Sequence, residues 1–183
     1  MMITDGLPAL ALATATAGAV IDHRSGHIPN WLTLGSLAAA PALWFGAVTA
    51  SQGGAAGLAA LATSLTGAFV CGIGPAFLFW RGGLGGGDVK LFAALGAMLG
   101  PRIGINAQFL AFLVAAAFVP GRLAWEGRLL SVLAETLRLL KNPFVAKERR
   151  HSPPPELVAK LRLGPAILAG TILAFALAHR SLA

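Results

Sequence analysis

Candidates for chemistry are few in this 183-residue chain, in which seven residues are acidic and four are histidine. Two of the acids, Asp22 and Asp88, stand at the ends of long apolar stretches, the second behind the glycines of GGLGGGDVKLFAALG, residues 82–96. Asp5 precedes the first apolar stretch, and Glu126, Glu135, Glu148 and Glu156 fall in a charged connection. Two carboxylates brought together share a proton, since like charges at short range resist joint ionisation and split their apparent pKa values. The ionised partner then takes a proton from water while the protonated one hydrogen-bonds the carbonyl under attack, which hydrolyses an amide without a metal or a covalent intermediate. A low-dielectric setting strengthens both effects. Asp22 and Asp88 are therefore the candidate catalytic pair, provided that the elements carrying them let them meet.

Those elements are oily. Hydrophobic residues make up 56% of the chain and charged ones 11%, with a mean hydropathy of +0.75, whereas a soluble domain carries roughly 25% charged residues. The chain reads as an integral membrane protein. A net charge of +7 and a pI near 11.2 would suit nucleic acid, but such a binder needs a basic face with aromatic or polar readout groups. Here the cations sit between apolar spans as topology signals, and no nucleic-acid partner is expected. The single cysteine, Cys71, lies inside an apolar stretch, so no internal disulfide or cysteine-based metal site can form.

Six stretches approach the ~20 residues that cross a bilayer as helix: 7–21, 31–50, 57–80, a short 88–99, 103–119 after the turn GPRIG, and 163–178. Each is bounded by Gly, Pro, Asn or charge. No internal repeat stands out. The runs are too long, too rich in Ala and Leu, and too lacking in alternation for membrane strands. The expected fold class is all-α, an integral membrane bundle of about six transmembrane helices. The small residues ATAGA resemble a signal-peptide cleavage site, but the leader MMITDG has an acid and no Lys or Arg, so the first stretch is expected to be a helix of the mature protein.

Cations set the orientation. Of the 14 Lys and Arg, Arg24, Arg81, Lys90 and the nine from Arg122 to Arg162 fall on one side, and Arg102 and Arg180 on the other. The positive-inside bias puts connections 1–2, 3–4 and 5–6 in the cytoplasm and leaves both termini extracytoplasmic. Asp22 and Asp88 then share one side and a similar depth. A helix over 88–99 spans about 18 Å at roughly 1.5 Å per residue, well short of a ~30 Å hydrocarbon core. If its outer end reaches the far interface, Asp88 lies below the membrane surface, where an ionisable group is by default functional and faces a wet cavity or a partner. Non-helical backbone at that depth must line such a cavity or be shielded by protein. The glycines of GGLGGG meet that need by permitting unusual dihedrals and close approach of another backbone.

Plainer roles are open to each residue. Taken alone, Asp22 is an interfacial residue ending a helix, and Asp88 an N-cap for free amides. Capping is compatible with catalysis, and the Gly-rich approach with a second Asp on the same side shifts the balance to function. Lys90 is an interfacial cation able to tune the site, and Pro29 and Asn30 reset the chain between helices and cap the second one. GGLGGG lacks the G-x-x-x-x-G-K-[ST] spacing and preceding strand of a phosphate loop. His23 and His27 stand four apart, a spacing that chelates metal on a helix face. Gly26 and Pro29 speak against a helix there and H-E-x-x-H is absent, so no metal site is expected. Trp31, Trp44, Trp80 and Trp125 lie near span ends as interfacial anchors.

Between the fifth and sixth spans, Leu123, Leu130, Leu133, Leu137 and Leu140 recur near helical spacing, with Arg128, Glu135, Arg138 and Lys141 on other faces. This predicts an amphipathic helix along the inner membrane surface. The charge and three consecutive prolines of KNPFVAKERRHSPPPELVAK predict an extended, mobile segment over 142–160. The whole reads as a single membrane-embedded domain, 1–183, with a cytoplasmic amphipathic and loop segment at about 121–162.

These residues together resemble the type IV prepilin peptidases, among the intramembrane aspartyl proteases. GGGDVK is similar to the family's G-x-G-D motif, with Gly85, Gly86, Gly87 and Asp88. Asp22 followed by HRSGHIPNWLTL resembles the other active-site segment, in which an aspartate precedes a basic stretch and Ile-Pro-Asn. RLGPAILAG before the last span resembles the closing segment. The resemblance covers nearly the whole chain, and although G-x-G-D alone is weak, its combination with Asp and IPN within six spans is specific.

The resemblance implies a multi-pass aspartic endopeptidase of the bacterial inner membrane. It would cleave the short basic leader from type IV pilin-like precursors after a glycine, at the cytoplasmic face. Asp22 and Asp88 would be catalytic, Gly85, Gly86, Gly87, Lys90, Pro29 and Asn30 would shape the site, and no cofactor or metal would be needed. The partners would be the precursor, through its leader and hydrophobic helix, and the lipid bilayer. Larger members carry a further N-terminal cytoplasmic portion with cysteines and methylate the new N-terminus. A chain that opens on its first span and has one cysteine resembles the short, peptidase-only form of Flp or tight-adherence pili, without methyltransferase activity. DHRSGH departs mildly from the usual Arg/Lys-rich stretch.

The alternative class is a small membrane transporter or channel, with Asp22 and Asp88 binding a cation or relaying protons across a broken helix. Apart from Ser, Thr, Asn106 and Gln108, the spans hold little that could carry an ion onward. A structural membrane subunit would need neither aspartate.

Overall fold

The computed structural model describes residues 6–125, 127, 129–140 and 163–180, and among these the regular structure is helix throughout, with no strand. The helices are α1 Gly6–Ser25, α2 Asn30–Gln52, α3 Gly54–Trp80, α4 Gly86–Trp125, α5 Leu129–Leu140 and α6 Gly164–Arg180. By length and composition α2, α3 and α4 can each cross a membrane, and α6 contributes a shorter apolar helix over Gly164–Ala178. One compact unit falls within Met1–Val114 and Arg162–Ala183, holding α1 to α3, most of α4, and α6; the other falls within Ala115–Leu161 and holds the end of α4 and α5.

Helix α4 has 40 residues, which would be about 60 Å if straight, twice a ~30 Å hydrocarbon core. It is not straight. Gly100 has φ 72° and ψ 171°, a region open in practice only to glycine, and Pro101 behind it has no amide hydrogen. The first arm, 86–99, and the start of the second, 101–125, lie beside each other at the turn, so that a Cβ at Gly104 would lie 3.1 Å from Gly96 Cα. Residues eight apart in a continuous helix would be about 12 Å apart. The GPRIG turn is thus where the sequence puts it, and the stretches 88–99 and 103–119 form the two arms, each somewhat longer than its apolar run.

A sharp break orphans carbonyls at the end of the first arm. The helical partner of Ala97 O would be residue 101, a proline; Ser64 Oγ of α3 donates to it instead at 2.7 Å. Trp44 Nε1 of α2 donates to Met98 O at 3.1 Å, so this indole, expected as an interfacial anchor, also seals the turn. Ser64 is fully buried, and an unsatisfied carbonyl there has no water to turn to. Ser64→Ala is expected to lower unfolding free energy by about 1–3 kcal/mol, read as a shift of the denaturation midpoint in mixed micelles.

The first arm of α4 is the centre of its unit. Leu91, Phe92, Leu95, Met98 and Leu99 are all buried, and the core around them draws Ala11 and Ala15 from α1, Leu32 and Ala40 from α2, Ala107 and Ala111 from the second arm, and Ile167 and Ala174 from α6. The contacts are mostly small residues against large ones, as where helices must approach closely without a hydrophobic driving force between them. Outward faces are apolar instead of charged: Phe69, Ile73, Phe109 and Leu113 are all more than half exposed. A surface of that kind is stable against lipid tails and aggregates in water.

Two expectations fall differently in this unit and its neighbour. Helix α1 runs past Ile21 to Ser25, so that Asp22 belongs to its last full turn. The one-sided helix between the fifth and sixth spans forms as α5, from Leu129, while Leu123 belongs to the end of α4. The segment over 142–160 lies outside the described residues.

Candidate active site

Asp22 is 6% exposed near the end of α1, and Asp88 is 8% exposed in the first turn of α4. The chain beside each one, His23 to His27 and Arg81 to Gly83, is exposed. Asp22 thus lies just inside the C-terminal end of α1, and Asp88 just inside the N-terminal end of α4.

Each carboxylate holds a backbone amide at a helix N-terminus. Asp22 faces the negative end of its own helix dipole, an unfavourable place for an acid. The offset comes from another helix: Gly164 N–H, the first of α6, donates to Asp22 Oδ2 at 3.0 Å in a buried bond. In α4, Val89 N–H bonds to Gly85 O at 3.3 Å, which makes Gly85 the N-cap. Asp88 is thus the third helical residue, not the N-cap of its plainer reading, and its carboxylate reaches back to the Gly85 backbone. That is the acidic half of a capping box.

Three contacts tie α4 to α1, to the connection after it and to the start of α2 around the acids. Gly18, one turn before Asp22, lies against Leu91, with a Cβ at 18 falling 3.1 Å from Leu91 Cδ2. Gly87 lies against Ile28 of the α1–α2 connection, 3.2 Å by the same measure. Lys90 Nζ donates to Asn30 Oδ1 at 2.8 Å.

The remaining sequence candidates sort by what they touch. A Cβ at Gly85 would fall 2.9 Å from Asp88 Oδ2, so its bareness leaves that oxygen open, whereas Gly86 meets only ordinary contact with Phe79 at 3.4 Å. Of the glycines in GGLGGG, only Gly82 takes a positive φ, 76°; Gly85 and Gly87 serve close approach, and the unusual dihedrals expected along the whole stretch are confined to one turn. Pro29 is the N-cap of α2 and provides no side-chain cap. Asn30 is the first helical residue, and its amide, expected to cap α2, binds Lys90 instead. Because that bond is exposed, Lys90→Met is expected to cost less than about 1 kcal/mol in a denaturant titration. His23 lies on α1 and His27 beyond it, and among the described residues no three His, Cys, Asp or Glu gather to hold an ion. Gly164 was not among the expected site residues. Its only local signal is the Gly-Pro pair of RLGPAILAG, which marks a helix start and says nothing of Asp22.

The model of the type IV leader peptidase family matches residues 9–120, more than half of the chain, including Asp22, the connection to Asn30 and Asp88. The chain belongs to this family. Family membership makes it a protease, of the aspartic type within this family, and the apolar helices agree with a multi-pass membrane protein. No curated protein and no solved structure matches the chain. The family match ends in the second arm of α4 and does not extend to α6.

Proposed function

We propose that this leader peptidase is an aspartic endopeptidase that removes the basic leader from type IV pilin-like precursors, with Asp22 and Asp88 as its catalytic pair. One observation carries the proposal: two buried carboxyl groups from separate helices stand on segments packed against each other, Gly18 on Leu91 and Gly87 on Ile28. The charge bias of the connections supports a site at the cytoplasmic face of the inner membrane. Residues 1–183 would act as one peptidase, with α5 along the inner surface.

The chemistry follows from a pair sharing one proton. As a water oxygen adds to the scissile carbonyl carbon, the ionised carboxylate takes one of its protons and the protonated partner gives its own to the carbonyl oxygen. In the second step the first carboxyl protonates the departing nitrogen, the partner recovers a proton from the gem-diol, and the C–N bond breaks. The pair returns to its starting state. Each acid has one oxygen engaged with a helix amide, which holds its orientation through both steps. The bare backbone at Gly85 and the exposed glycine turn before it leave room for an extended peptide to approach Asp88.

The test is reconstitution. The purified chain in liposomes, mixed with a precursor carrying a basic leader and an apolar helix, is expected to release the leader, seen as a gel shift and located by mass spectrometry. An intact precursor under conditions where the chain is folded would overturn the proposal. Ion uptake by the same vesicles that depends on both aspartates would favour the transporter class.

A further inference from the structure

The leader peptidase reading leaves α6 without a role, yet its first residue touches the site. Resting on that reading, we infer that the Gly164 backbone amide is a positioning group for Asp22: α6 enters the site amide first and pins Oδ2, which leaves Oδ1 as the oxygen that exchanges a proton with water.

Local sequence isolates this amide. Leu163 O accepts Ile167 N–H at 2.9 Å, so Leu163 is the N-cap of α6, and an apolar side chain there cannot satisfy the free amides behind it. Pro165 has no amide hydrogen. Gly164 N–H is therefore a first-turn donor in need of an acceptor, and it finds one in a buried carboxylate 142 residues away in sequence. The positive end of the α6 dipole comes with it, at the acid that its own helix disfavours.

Two close approaches hold the amide in place. A Cβ at Gly164 would fall 2.8 Å from Asp22 Cβ and 3.0 Å from Ala19 Cα, so the residue must be bare. One and a half turns further on, a Cβ at Gly170 would fall 2.6 Å from Ala107 O of the second arm of α4. With α1 on one side and that arm on another, α6 has little freedom to slide. A carboxylate fixed at one oxygen cannot rotate away from the reacting carbonyl, and loss of such positioning typically costs a large factor in rate.

Glycolic acid at position 164, introduced by suppression in cell-free synthesis into liposomes, replaces the amide by an ester, which removes the donor without adding bulk and weakens Leu163 O as an acceptor, an effect that the control ester shares. We expect kcat for leader removal to fall about 10–100-fold, with KM for the precursor within about threefold. An ester at the outward-facing Ile172 removes an ordinary helix amide and should leave kcat within about twofold. A readout independent of turnover is the infrared carboxylate band of ¹³C-labelled Asp22, expected to shift with the 164 ester and not with the 172 ester. Unchanged kcat in the 164 ester, or an unmoved Asp22 band, overturns the inference while leader removal by the unsubstituted chain keeps the peptidase reading standing. An unsubstituted chain that leaves the precursor intact overturns both. Gly164→Ala keeps the N–H but drives a Cβ against Asp22 Cβ and Ala19 Cα, so it should displace the amide and lose at least as much activity as the ester.

Discussion

Replacing either Asp22 or Asp88 by asparagine is expected to lower kcat for leader removal by about 10³-fold or more, with normal protein levels and an unchanged denaturation midpoint. Asparagine keeps the size of the side chain and one acceptor oxygen, so the bonds from Gly164 N–H and the Gly85 backbone can persist. What it removes is the exchangeable proton. The two acids act as a unit, and the double substitution should therefore be little worse than either single one. The measurement is the initial rate of precursor cleavage, normalised to folded enzyme. Substantial cleavage by either asparagine variant would exclude the pair.

The second large effect is on stability. Gly96→Ala in the first arm of α4 is expected to cost about 3 kcal/mol or more, read as lost yield of folded protein and a lower midpoint in mixed micelles. Its Cβ would enter the space of Gly67 O and fall 2.6 Å from Cys71 Cβ. The obstacle on α3 is backbone, which cannot change rotamer to make way. Gly67→Ala meets the same wall from the other side, 2.9 Å from Gly96 C and 3.0 Å from Gly100 C. Gly35→Ala and Gly46→Ala in α2 are the contrast, since nothing lies within 4 Å of either position. Those two should be neutral or stabilising by up to about 1 kcal/mol, the ordinary helix preference of Ala over Gly. Equal effects at all four positions would mean that the α3–α4 contact does not limit stability.

Much of the architecture is local and was open to reading. Apolar run length separates lipid from water as solvent, Gly and Pro punctuate the runs, and GPRIG marks a turn that an α-helix cannot continue through. The two catalytic candidates stood out for a simple reason: a carboxylate next to an apolar span is costly unless it has a function. The errors were also local. Asp88 sits three residues inside its cap because Gly85 supplies the first helical carbonyl, and glycine carries no side-chain signal to distinguish one cap position from the next. Asn30, an N-cap type by residue preference, gives its amide to Lys90 because the first arm of α4 passes beside it.

Amino-acid order alone thus pointed to a membrane as solvent, to the helices, to the turn at Gly100 and to Asp22 and Asp88 as the candidate pair. The fold supplied the packing of the segments that carry them, the Ser64 and Trp44 donors that close the α4 hairpin, and the Gly164 amide on Asp22. The physical reason is the same for each of the last three. A backbone amide or carbonyl is present at nearly every residue, so nothing in the letters says which one will be left unpaired, or which distant helix will be packed close enough to satisfy it.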